Sequence, residues 1–235
     1  MQFNSSFPDV NERTMWITNQ LGVATWSDAG TEWEIDARGG KAICLGWPEK
    51  AAVQLKPVDD TTLPAADEQF VRGRCWHVNY PQAEHRHALR IAFEPIETTS
   101  ESMLLEATIS IQTDLLDSHP KIDILSESKS ITTLSVPGAS QQPTASQTGA
   151  AAVTIASSDT TFVAIFLGEH DSPFTTDLTT PEALQLRLFG EFLEKGVIRK
   201  ARPWILLRRA KQEPSEAELQ AIWQRLAGRP LPLAS

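Results

Sequence analysis

The stretch Ser102–Thr113 constrains the fold more than any other part of the chain. Met103, Leu105, Ala107, Ile109 and Ile111 alternate with Glu106, Thr108, Ser110 and Gln112. A helix repeats its apolar positions every three to four residues, so a sustained period of two excludes one. Successive strand side chains point to opposite faces, so one row is buried and the other meets a second environment. The segment is predicted to be a half-buried antiparallel strand.

Other segments share this grammar. In Thr31–Ala37, Trp33, Ile35 and Ala37 oppose Glu32, Glu34 and Asp36, and Gly39-Gly40 then leads into Lys41–Trp47, which predicts a hairpin. Phe70–Tyr80 reads as one long strand closed by Pro81, and His87–Glu94 puts Leu89, Ile91 and Phe93 on one face. Lys121–Leu125, Ser130–Val136, Ala151–Ala156 and Ala183–Phe189 supply further strands. Thr160–Leu167 is apolar on both faces, as a central strand covered on both sides requires. Gly196–Arg208 closes the series, and Pro203 within it predicts an edge or a bulge.

One helix is expected, at about 215–227. Ser215-Glu216-Ala217-Glu218 has the form of a capping box, and Leu219, Ile222, Trp223 and Leu226 follow at helical spacing before Gly228 and Pro230. No helices separate the strands, which excludes alternating βα units, and no internal repeat points to a propeller or solenoid. The chain is predicted to be all-β: a large antiparallel β-sandwich with one C-terminal α-helix, forming a single domain over 1–235. Pro137–Ala150, rich in Ser, Gln, Thr, Gly and Ala, is expected to be a mobile loop inside it.

Charge and composition narrow the partners. The 235 residues carry a net charge of −9, which opposes binding to phosphate backbones, so no nucleic-acid partner is expected. No apolar run reaches the roughly 20 residues of a membrane helix. The N-terminal Met-Gln-Phe-Asn-Ser-Ser lacks the basic and apolar regions of a secretory signal, so a cytoplasmic location with no membrane partner is expected. Cys44 and Cys75 lie far apart in strand-like segments and read as reduced, buried thiols. From Lys195 to Lys211 seven basic residues occur without an acid: Lys195, Arg199, Lys200, Arg202, Arg208, Arg209 and Lys211. They form a solvated strand face, hold an anion, or dock on acids of the same chain.

There is no Gly-rich phosphate loop, Gly-x-Ser-x-Gly or His-Glu-x-x-His, and no cofactor or metal is expected. Chemistry-bearing residues instead gather in clusters. On a continuous strand, Arg72, Arg74, Trp76 and Tyr80 share a face, with His77 and Cys75 opposite. Such a stripe suits a sugar, whose ring stacks on an indole while guanidinium groups donate to its oxygens. It equally describes a solvated face on which arginine stems shield a Trp. His85-x-His87 has metal-like spacing but sits in a charged turn. Asp114, Asp117 and His119 follow the strongest strand, where they line a cleft or cap a turn. Glu191 or Glu194 pairs with Arg199 or Arg202, or stands as a base beside a cleft.

Ser110–Pro120 and Phe192–Arg202 resemble segments of uncharacterised bacterial all-β proteins. The strand pattern as a whole resembles, loosely, the galactose mutarotase-like supersandwich. That resemblance implies two histidines and a glutamate as catalytic groups, and the chain order Arg74, His77, His119, Glu191 is compatible with it. The leading functional expectation is a binding module for carbohydrate or another small polar ligand. An epimerase or mutarotase-like isomerase working by His/carboxylate acid–base catalysis is the alternative, as is a non-catalytic assembly protein that forms homo-oligomers.

Overall fold

The computed structural model describes residues 16–28, 31–58, 62–82, 87–134, 136, 149–209 and 213–230. Within them, two antiparallel sheets lie face to face, with one helix against the outer side of one sheet. The first sheet has eight strands: β1 (Trp16–Gln20), β2 (Val23–Asp28), β3 (Thr31–Asp36), β4 (Ile43–Trp47), β5 (Lys50–Pro57), β10 (Lys121–Glu127), β15 (Ala183–Phe189) and β14 (Thr176–Asp177), adjacent in that order. The second has nine. β11 (Ser130–Leu134), β12 (Val153–Ser157), β13 (Phe162–Phe166), β17 (Trp204–Arg208), β9 (Ser102–Gln112), β8 (Ala88–Thr98), β7 (Cys75–Tyr80) and β6 (Glu68–Arg72) run side by side, and β16 (Ile198–Ala201) joins the free end of β9. The helix α1 spans Glu216–Ala227. The all-β sandwich with one C-terminal helix is therefore observed.

Alternation builds the main core. Trp33 and Ile35 from β3, Trp76 and Val78 from β7, and Met103, Leu105, Ala107, Ile109 and Ile111 from β9 all face the space between the sheets. A second core lies on the other side of the nine-stranded sheet. There Leu104, Phe162, Ala164, Phe166, Trp204 and Leu206 meet Leu219, Ile222, Trp223 and Leu226 of α1. This explains why β13 is apolar on both faces: the first sheet covers one and the helix the other. Ser215 caps α1 by accepting from the Glu218 amide at 3.2 Å, whereas the Glu218 carboxylate turns outward to Arg208. No helix among the described residues is long and apolar enough to cross a membrane.

One expectation changes and a second is refined. Phe70–Tyr80 is not one strand but the β6–β7 hairpin, with Arg72 opposite Cys75. Gly73 opens its two-residue loop at φ +63°, the left-handed region that glycine enters without strain. Pro203 separates β16, an edge segment that pairs with β9 alone, from β17, which is central to the sheet, and the register runs through it without a bulge. The stretch 137–148 of the expected loop falls outside the described residues, as do His85 and Lys211.

Candidate functional site

The outer face of the nine-stranded sheet is divided in two. Along β9, Leu104 and Glu106 lie under α1 and the chain that follows it, while Thr108, Ser110 and Gln112 emerge into an open groove of about 520 Å³. Strand register sets what lines it. Phe70, His77, Ala92 and Thr108 stand side by side across four strands, and Asn79, Arg90, Ser110 and Lys200 form the next row. Ala88 and Ala92 contribute only methyl groups, which leaves a trough between taller neighbours.

One wall is aromatic. The rings of Phe70 and His77 stack at 4.5 Å with a 13° interplanar angle, and Phe70 remains 39% exposed. Burial, and then the cations of Arg90 and Arg72, lower the pKa of His77, so its imidazole is neutral at pH 7. The floor is polar. Arg90 Nε donates to Asn79 Oδ1 at 2.8 Å, and Asn79 Nδ2 donates to Glu68. An apolar ring wall beside fixed amide, guanidinium and hydroxyl groups offers what a small polyhydroxylated ring needs.

The residues singled out from sequence do not converge. Trp76 and Tyr80 point into the core, 0% and 2% exposed, and the Tyr80 hydroxyl donates to the Ala37 carbonyl at 2.6 Å. The expected Arg–Trp stripe does not exist, because the hairpin turn at Gly73 moves Arg72 to the groove side with His77. Arg74 packs over Trp26 at 5.7 Å. His119 and Asp117, 3.4 Å apart and exposed, border a separate pocket of about 270 Å³ with His87. The Asp114 amide bonds Gln82 Oε1 at 3.0 Å on the same loop. Glu191 forms a 3.0 Å ion pair with Arg199 beside a third pocket of about 290 Å³. His77, His119 and Glu191 thus line three different pockets. Cys44 and Cys75 are half-buried thiols, not bonded to each other; burial pushes Cys75 up to about 11, so it stays protonated at neutral pH.

Four arginines of the basic run dock on the chain itself. Arg199 meets Glu191, Arg202 approaches Glu106, Arg208 meets Glu218, and Arg209 lies between Trp33 and Trp47. The Glu191–Arg199 pair is one of those expected from sequence, but sequence reasoning missed two buried acids, Glu106, which faces Arg202 of the run, and Asp123, which holds Arg187. Glu106 is buried and accepts from Trp204 Nε1 at 2.7 Å, with Arg229 at 3.2 Å and Arg202 at 3.9 Å. Asp123, also buried, takes two hydrogen bonds from Arg187 and one from Gln185. A carboxylate at the centre of an apolar strand was the available signal for both.

Asp171 belongs to the same neighbourhood. Its carboxylate accepts from the Arg202 amide at 3.0 Å, but burial outweighs that bond and raises its pKa. A carboxyl whose folded pKa exceeds its unfolded value stabilises the fold below the unfolded pKa, and that contribution is lost as pH rises through the folded one. Asp171→Asn is therefore expected to raise the melting temperature at pH 7, with the gain shrinking as pH falls through the raised folded pKa toward the usual carboxylate value. A variant less stable than the parent at pH 7 and equal to it at pH 4 would reverse the sign.

The chain matches no family model, no curated protein and no solved structure.

Proposed function

We propose that this protein is a non-enzymatic β-sandwich binding module whose ligand is a carbohydrate held in the groove over β6–β9. The observation that carries this reading is the exposed Phe70–His77 stack at the side of a polar trough. The flat ring wall takes the apolar face of a sugar, and Asn79, Arg90, Thr108, Ser110 and Gln112 take its hydroxyls. The separation of His77, His119 and Glu191 favours binding over the isomerase alternative, which needs an acid and a base on either side of one ring.

A glycan array followed by titration calorimetry on the best hit tests the proposal. Phe70→Ala is expected to weaken that interaction by about 2 kcal/mol, the scale of an aromatic hot spot, or roughly thirtyfold. Because Phe70 lies half in solvent on an edge strand, the variant should unfold close to the parent. No binding across the array, or equal affinity of parent and variant, would remove the groove as a sugar site.

A further inference from the structure

A strand at the end of a sheet presents a row of backbone N–H and C=O groups without partners, and proteins blunt such edges with charge, bulges, brevity or cover. Most edges here carry such a device. β1 is interrupted by a bulge between Ile17 and Gln20. β14 is two residues long and ends on Asp177. β6 carries Glu68 and Arg72, and its Gln69 side chain bonds the Gly22 amide and the Gln20 carbonyl, which docks the β1–β2 turn against it. β16, off the main path, carries Arg199 and Lys200.

β11 differs. Ser130-Ile131-Thr132-Thr133-Leu134 has no charge, no proline and no bulge, and it pairs with β12 residue for residue. Ser130, Thr132 and Thr133 are exposed, while Ile131 packs on the main core and Leu134 on the second. The adjoining charge is already neutralised, since Lys129 is paired with Asp159.

We propose that β11 is an interface that pairs antiparallel with β11 of a second copy of this chain. The segment is self-complementary. A two-fold axis through Thr132 sets Thr132 against its own copy, Ile131 against Thr133, and Ser130 against Leu134. No like charges meet, and Thr–Thr and β-branched pairs are favourable cross-strand neighbours. The pairing joins two nine-stranded sheets into one continuous sheet. Because the strand is only five residues long, the dimer belongs to the weak, concentration-dependent class. The groove over β6–β9 lies at the opposite end of the sheet and stays open in the dimer.

Sedimentation velocity on the full chain, up to roughly 1 mM to reach weak dissociation constants, tests this. The expected result is a sedimentation coefficient that rises with concentration, and Thr132→Lys should weaken association by roughly tenfold or more, since it sets like charges directly opposite. Val71→Lys on the β6 edge should leave association unchanged. Hydrogen exchange should show the amides of Ser130–Leu134 that face away from β12 slowing as dimer forms. A monomer at every concentration, association indifferent to Thr132→Lys, or β11 amides fully protected in the monomer would each overturn the proposal, the last because the chain would be covering its own edge.

Discussion

Truncation of Glu106 to alanine is expected to destabilise the protein by about 3–5 kcal/mol, the cost of breaking a buried charge pair from one side. Glu106 lies where the sheet passes under the C-terminal segment. One of its oxygens, Oε2, accepts from Trp204 Nε1 at 2.7 Å and faces Arg229 and Arg202 at 3.2 and 3.9 Å. Arg202 is buried and also donates to the carbonyls of Arg229 and Pro230, which tethers the chain beyond α1. Removing the carboxylate leaves an indole N–H and a guanidinium without their counter-group inside the protein. Glu106→Gln keeps an acceptor for Trp204 but not the charge, so its loss should be smaller, about 1–3 kcal/mol. Arg229 is 35% exposed, and its truncation should cost about 1 kcal/mol or less because solvent screens it. Guanidinium unfolding measures all three. The network is solvent-screened, and this account of it wrong, if Glu106→Ala shifts the unfolding free energy by less than about 0.5 kcal/mol, the range of ordinary surface substitutions. Hydrogen exchange provides an independent readout: in Glu106→Ala, α1 should open more often than in the parent, since Glu106 anchors its far end.

The sandwich was legible because one face of most strands is buried. Ser102–Thr113 and Thr31–Ala37 alternate so cleanly that a one-residue slip would invert every side chain. The helix was legible from its capping box and its four apolar positions, all of which are buried. The groove was not legible, because it depends on pairings distant in sequence. Phe70 meets His77 only through the turn at Gly73, and Thr108 and Lys200 join them through register. Reading Phe70–Tyr80 as continuous placed Arg72 beside Trp76, whereas the turn reverses the chain and puts the two on opposite faces. A Gly flanked by Arg in an otherwise strand-like run was the signal for that reversal. The Glu191–Arg199 pair was legible because the two are close in sequence, whereas Glu106 was hidden: it and Arg202 are far apart along the chain, and only the pairing of β9 with β16 and β17 brings them together.

Trp76 decides between the stripe expected from sequence and the groove found instead. Its indole packs against Trp16 at 5.7 Å and Phe93 at 5.6 Å, with no exposed surface. Trp76→Ala removes a large ring from the middle of the main core and should cost about 3–5 kcal/mol, from lost transfer energy and the cavity left behind. Trp76→Phe should recover much of this, because a smaller ring still fills part of the space. The indole Nε1 is buried without a hydrogen-bond partner among the described residues, so its removal gives back part of the packing loss. The two aromatic substitutions therefore separate two roles. Phe70→Ala should impair ligand binding with little change in stability, and Trp76→Ala should do the reverse at temperatures where it stays folded. Denaturant unfolding and calorimetry on the same preparations test both. A Trp76→Ala protein that keeps the parent's stability but loses its ligand would place that indole against the ligand, and the inward packing of β7 would have to be abandoned.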